Sequence, residues 1–172
     1  VDAGGNATSS SSVTLNGSST SNYDSEMTFP TVDMSAYRTT AQANSQYFAT
    51  NKTYTDASPI PATPAGGVIY VNGNITIQGT QTSTACIVAT GDISISKSGS
   101  TYPRITITAP TDYPAVVNSG NFTFSSDGNG GAFLQVSGLL YPQGNFSFTS
   151  GNNDQFTLTG SLVARGNISI SP

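Results

Sequence analysis

The sequence predicts an all-β chain, a right-handed parallel β-helix (β-solenoid) of about five or six short rungs with one flanking or capping α-helix. Three observations carry this. A short phrase recurs along the chain, as VIYVNGNITIQ and IVATGDISIS within 68–96, AVVNSGNFTFS at 115–125, LLYPQGNFSFT at 139–149 and LVARGNISIS at 162–171. Each copy alternates apolar and hydroxyl residues with a period of two. No helix-length pattern separates the copies, so crossover helices are absent and equivalent strands must stack directly on one another.

Aligned on Gly73, Gly91, Gly120, Gly144 and Gly166, the copies share further marks. Four residues before the glycine sits an aliphatic residue: Ile69, Ile87, Val116, Leu140 or Leu162. Directly after it comes Asn74, Asp92, Asn121, Asn145 or Asn167. The pairs Ile75/Ile77, Ile93/Ile95, Phe122/Phe124, Phe146/Phe148 and Ile168/Ile170 then point to one face, with only Thr76, Ser94, Thr123, Ser147 and Ser169 between them. Each copy reads as strand, corner, strand, with the Gly–Asn/Asp step supplying a positive φ at the corner. Ordinary antiparallel hairpins share the alternation, but they do not require a Gly–Asn corner at the same phase in every copy. Residues 104–108 (RITIT) and 155–159 (QFTLT) repeat the alternation without the glycine and read as extra sides of the same coils.

In chain order, residues 1–32 read as an irregular stretch or a degraded first rung. GGNA at 4–7 and VTL at 13–15 echo the phrase, while the Gly/Ser/Thr/Asn composition of 1–22 alone is that of a linker. Residues 33–49 hold the one expected helix, about 34–48, capped by Asp33 and with Met34, Tyr37, Ala41 and Phe48 as its apolar stripe. Its expected place is on the solenoid or over an open end, where it would cover unpaired strands. Residues 50–67, with Pro59, Pro61 and Pro64, read as an extended connection, and 68–172 as the solenoid, all within a single domain. The loops at 125–131 and 151–154 are expected exposed insertions, and the last rung near Pro172 needs a cap or a neighbour.

Composition narrows the function classes. Charged residues make up 8% of the chain, the net charge is −4, and the only basic residues are Arg38, Lys52, Lys97, Arg104 and Arg165. That disfavours nucleic acid and anionic membrane surfaces, which need clustered cations. The chain has no histidine and a single cysteine, which excludes Ser-His-Asp catalysis and Cys/His zinc sites, and an intrachain disulfide. Cys86 precedes a core strand and reads as a small buried hydrophobe. No cofactor and no metal is expected. Asp92, Asp112, Asp127 and Asp154 lie in different copies and loops, and Glu26 is the only glutamate, so the paired carboxylates of a polysaccharide-active enzyme are not indicated. DGNG at 127–130 lacks the spaced carboxylates of a calcium loop. Sequons at Asn6, Asn16, Asn51, Asn74, Asn121, Asn145 and Asn167 mostly coincide with the corner phrase. No run is apolar and long enough for a signal peptide or membrane span, and a chain starting at Val1 points to processing or shortening, with an anchor absent from this segment.

The candidate binding face is a ladder of outward hydroxyls: Thr76, Ser94, Thr106, Thr108, Thr123, Ser125, Ser147, Thr149, Thr157 and Thr159. Such a ladder could order water and bind ice, or lie against a glycan; Thr and Ser are also ordinary exposed strand residues.

The runs AGGVIYVNGNITI (65–77), ACIVATGDISI (85–95), GLLY (138–141) and GSLVARGNISI (160–170), with the preceding TFPTVDMSAY (28–37), resemble the β-solenoid domain of PilX-type, pilin-like cell-surface proteins over roughly 28–172. Bactofilins and ice-binding β-helix proteins are more distant likenesses. The resemblance implies an N-terminal pilin-type helix that this chain lacks. It leads to the expectation of a non-enzymatic structural or adhesive module, extracellular or at a prokaryotic cell surface, whose partners are other copies or pilus subunits. An ice or carbohydrate ligand is the rival expectation.

Overall fold

Alternation turns each copy of the phrase into two short strands flanking the glycine corner, and a computed structural model shows how they pair. It describes residues 2–3, 7–9, 32–126 and 130–171. In chain order the elements are β1 (Asp2–Ala3), β2 (Ala7–Ser9), α1 (Ser35–Ala43), β3 (Tyr47–Phe48), β4 (Lys52–Tyr54), β5 (Val68–Val71), β6 (Ile75–Ile77), β7 (Thr80–Thr84) and β8 (Cys86–Ala89). They continue with β9 (Ile93–Ser96), β10 (Arg104–Thr108), β11 (Val116–Asn118), β12 (Phe122–Ser125), β13 (Phe133–Pro142), β14 (Phe146–Thr149), β15 (Gln155–Ala164) and β16 (Ile168–Ser171).

The fold is all-β and mostly parallel. One sheet of seven strands runs β2-β16-β14-β12-β9-β6-β4. A second, of nine strands, runs β1-β15-β13-β11-β8-β5-β3, with β10 joined to β13 and to β7. Every pairing between these strands is parallel; among the described residues the only antiparallel bridges are the isolated Thr55↔Ser58 and Ser98↔Thr101. Equivalent strands of successive copies therefore pair with one another, and the hairpin alternative does not occur between them.

Register carries the repeat into the core. Ile75, Ile93, Phe122, Phe146 and Ile168 are mutual partners along the seven-stranded sheet, as are Ile77, Ile95, Phe124, Phe148 and Ile170. Apart from the half-buried Ile170 they are buried, facing Ile69, Val71, Ile87, Val116, Leu134, Val136 and Leu140 of the other sheet. Phe122 stacks on Phe146 with ring centres 5.5 Å apart, and Phe124 on Phe148 at 4.5 Å. Phe156 from β15 closes against both Phe146 and Phe148.

RITIT is β10 as expected, and QFTLT is the first half of the longer β15. β13 and β15 pair with each other over most of their length and bend at Gly138 (φ +124°) and Gly160 (φ +141°), which are register partners. A Cβ on Gly160 would run into the carbonyl of Gly138, so both the turn and the close approach require glycine there.

One strand lies where a connection was expected. β4 holds Asn51's successors Lys52, Thr53 and Tyr54 in register with Ile75, Thr76 and Ile77, so AsnLysThrTyr is a further copy of the phrase without its glycine. The segment that follows closes the edge of β7. Thr84 N–H donates to Ala62 O at 2.7 Å, Ile60 N–H to Gln81 Oε1 at 2.8 Å, and Ser83 Oγ to Pro61 O at 2.7 Å. Gln81 and Ser83 occupy core register positions opposite Ile105 and Ile107, and these bonds satisfy them there. Prolines in this segment cannot donate to a further strand, which blunts the edge.

The amino-terminal reading needs correction. Asp2–Ala3 and Ala7–Ser9 pair with Val163–Ala164 and Ile168–Ile170, so they lie on the last copy of the phrase and not on the first. Residues 4–6, 10–31 and 127–129, which include GlyGlyAsn, ValThrLeu and most of the DGNG turn, lie outside the described residues.

The helix is shorter than its apolar stripe suggested. Asp33 does tie its first turn, accepting Ser35 N–H at 2.8 Å and Ser35 Oγ–H at 2.9 Å, which hold its carboxyl below the usual value. At the other end Ser45 adopts φ +58° and Gln46 N–H returns to Ala41 O, ending the helix at Ala43. Tyr47 and Phe48, expected in the helix, form β3. The helix covers the side of the nine-stranded sheet: Ala41, Met34 and Tyr37 pack on Val68, Tyr70, Cys86 and Val88. That is why VIYV and CIVA are buried at every position, one alternate set entering the core and the other lying beneath the helix. The stripe is packing. Among the described residues no helix is long and apolar enough to cross a membrane.

Candidate binding faces

The corner asparagines do more than end a strand. Asn51 Oδ1 accepts the backbone N–H of Asn74 at 2.9 Å, and Asn74 Oδ1 that of Asp92 at 2.9 Å. Asp92 Oδ1 accepts from Asn121 at 2.7 Å, Asn121 Oδ1 from Asn145 at 2.9 Å, and Asn145 Oδ1 from Asn167 at 2.8 Å. Backbone bonds run alongside, from Gly91 N–H to Gly73 O, Gly120 to Gly91, Gly144 to Gly120 and Gly166 to Gly144. The result is one continuous ladder across six strands of the seven-stranded sheet.

This ladder changes the reason for the glycines. Of the five corner glycines only Gly73 has a positive φ (+151°). The other four are required by space: a Cβ on Gly144 would lie 2.7 Å from Asn121 Oδ1 and 2.8 Å from Gly120 C, and Gly91, Gly120 and Gly166 would meet the ladder in the same way. The Gly–Asn pairing is one device, in which the glycine leaves room for the preceding copy's side chain.

The ten candidate hydroxyls divide between two faces. Thr76, Ser94, Thr123 and Ser147 are successive register partners on the seven-stranded sheet, continued by Thr53 at one end and Ser169 at the other. Ser125 and Thr149 stand beside them in a second column with Ser96 and Ser171. Thr106, Thr108, Thr157 and Thr159 lie elsewhere, on the β7-β10-β13-β15 side of the other sheet, in columns with Thr82, Thr84, Gln135 and Ser137. Sequence reasoning missed Thr53 and the asparagine row; the phrase AsnLysThrTyr was the signal for the first, and the invariant phase of the corner Asn for the second.

The first face is exposed or half-exposed along its length: Thr53, Ser125, Thr149 and the corner residues Asn51 to Asn167 are exposed, and Thr76, Ser94, Thr123 and Ser147 half-buried. Asp92 is the one ionisable residue among these outward positions. Lys52 sits at a core register position, its ammonium 4.7 Å from the Phe48 ring centre and 5.5 Å from that of Tyr54, where it closes the end of the core.

The remaining chemical groups are tied into structure. Asp154 accepts Ala132 N–H and Gly151 N–H with its two oxygens, and Asp92 belongs to the ladder. Asp112 is at a turn with φ +73°, and Asp127 lies outside the described residues. Cys86 is buried beneath the helix, and burial pushes its thiol up to about 12. Among the described residues no group of three or more acidic or cysteine side chains is placed to hold a metal ion.

No family model, no curated protein and no solved structure matches the chain.

Proposed function

We propose that the chain is a non-enzymatic structural or adhesive module of a cell-surface or pilus-like assembly, outside the cell, built as a short right-handed parallel β-solenoid. The observation that carries this reading is the uninterrupted in-register ladder from Asn51 to Asn167, which repeats one hydrogen-bonded unit from copy to copy. Such a body is stiff along its stacking direction and presents its outer faces at a fixed distance from whatever holds its end. Function is then presentation: rigid spacing, exposed loops and polar faces, with other copies or pilus subunits as partners. The resemblance of the repeat to pilin-like surface proteins supports the same reading.

Light scattering across a concentration series tests it. Growth in mass with concentration, reduced by a charge on an edge strand of the seven-stranded sheet such as Thr53→Lys in β4, is the expected outcome for end-to-end assembly. A strict monomer that binds no surface component and hydrolyses a polysaccharide would overturn it.

A further inference from the structure

We propose that the outer face of the seven-stranded sheet docks an extended, uncharged polysaccharide, lying across the strands along the asparagine and hydroxyl columns. The inference deepens the surface-module reading by naming the ligand class. It rests on three observations.

The first is orientation. In Asn74, Asn121 and Asn145 the Oδ1 atom is committed to the next copy's backbone N–H, at 2.8–2.9 Å. That fixes each amide plane and leaves the opposite nitrogen as an oriented donor; among the described residues these Nδ2 groups have no hydrogen-bond partner. A row of locked amides loses little side-chain entropy when a ligand oxygen accepts from it.

The second is spacing. Copies follow one another at about 4.8 Å, roughly one sugar ring in an extended chain. Beside the three amides stand the hydroxyls of Thr76, Thr123 and Ser147, with Ser94 continuing the column beside Asp92, each able to donate and accept. The third is charge. The face carries Asp92 and no cation at its outward positions, so it suits a neutral polymer; an anionic one would find no partner and one repulsive carboxylate. Serine predominates in the second column (Ser96, Ser125, Ser171), and serine lacks the methyl group that a water-ordering ice face uses beside its hydroxyl.

Co-sedimentation with cellulose and chitin powders, plus calorimetry with a soluble neutral β-glucan, tests the proposal on the intact chain. Thr123→Tyr with Ser147→Tyr should weaken retention about tenfold or more, while Thr106→Tyr with Thr157→Tyr, on the other face, should leave it unchanged. Outward tyrosines suit strands, thermal melts check folding, and Ser94→Tyr gives the same reading from another copy. Absence of binding to all three neutral polymers, equal loss from both faces, preference for alginate, or retention by ice in place of glycan would each overturn the proposal. Mass growth in light scattering is read separately, so failure of this docking face is distinguishable from failure of the surface-module reading.

Discussion

The side-chain carbonyl of Asn121 accepts the backbone N–H of Asn145 at 2.9 Å, joining two copies of the repeat 24 residues apart. Removing the acceptor leaves Asn145 N–H without its partner. Asn121→Ala is expected to destabilise the fold by about 1–2 kcal/mol, read from the urea midpoint. Asn121→Asp retains an acceptor oxygen, as Asp92 does one copy earlier, and should recover most of the loss.

Gly144 and Gly99 separate two reasons for glycine. Gly99 has φ +57° with nothing among the described residues within 4 Å of an added Cβ, so Gly99→Ala is expected to meet backbone strain alone, about 1 kcal/mol. Gly144→Ala forces a Cβ between Asn121 Oδ1 and the Gly120 carbonyl group, and overpacking of this kind costs about 1–3 kcal/mol. Combining Gly144→Ala with Asn121→Ala should cost less than the sum of the two, because the smaller side chain vacates part of that space. Denaturant melts of the two single variants and the double variant measure the coupling.

Phe148 stacks on Phe124 and touches Phe156 across the core. Phe148→Ala should lower stability by about 3–5 kcal/mol, and Phe148→Leu by clearly less, with loss of the near-ultraviolet aromatic signal in the alanine variant. Equal effects of the two would contradict a close-packed ring stack.

Burial raises the Cys86 thiol to about 12 from an ordinary value near 9.0. In the unfolded chain the thiol ionises first, so its contribution is complete below pH 9 and is lost as pH climbs toward 12. Thermal melts should fall across that window, and Cys86→Ala should flatten the fall. Tyr54, likewise raised by burial, adds to the loss above pH 10.

Tyr54 is buried, and among the described residues its hydroxyl has no hydrogen-bond partner. Tyr54→Phe removes a polar atom that finds no hydrogen bond and is expected to be neutral or stabilising by up to about 1 kcal/mol at pH 7. A loss larger than 1 kcal/mol in calorimetry would mean that the hydroxyl is satisfied in solution.

Much of the fold was legible because period-two alternation and the phase of the glycines are local facts. Ile75/Ile77 through Ile168/Ile170 were correctly read as the inward set, and Cys86 as a buried thiol. The helix end was misread because Phe48 continues the apolar spacing, while the break comes from Ser45 in a left-handed conformation that its residue type does not announce. β4 was missed because Lys52 and Tyr54 replace the isoleucines, and the lysine is tolerated there only because its ammonium rests on Phe48 and Tyr54.

The candidate face was half legible. That Thr76 and Thr106 both point outward follows from alternation; that they belong to different sheets does not, since which sheet a strand joins depends on the lengths of the turns between copies. By itself the sequence determined strands, their inward faces and direct stacking, because these follow from residue-by-residue periodicity. Only the tertiary structure decided that the corner glycines make room for an asparagine ladder, that Asp2–Ala3 and Ala7–Ser9 pair with the last copy, and which hydroxyls share a face. Each of those depends on residues 18 or more positions apart meeting across a hydrogen bond, and no local pattern encodes that meeting.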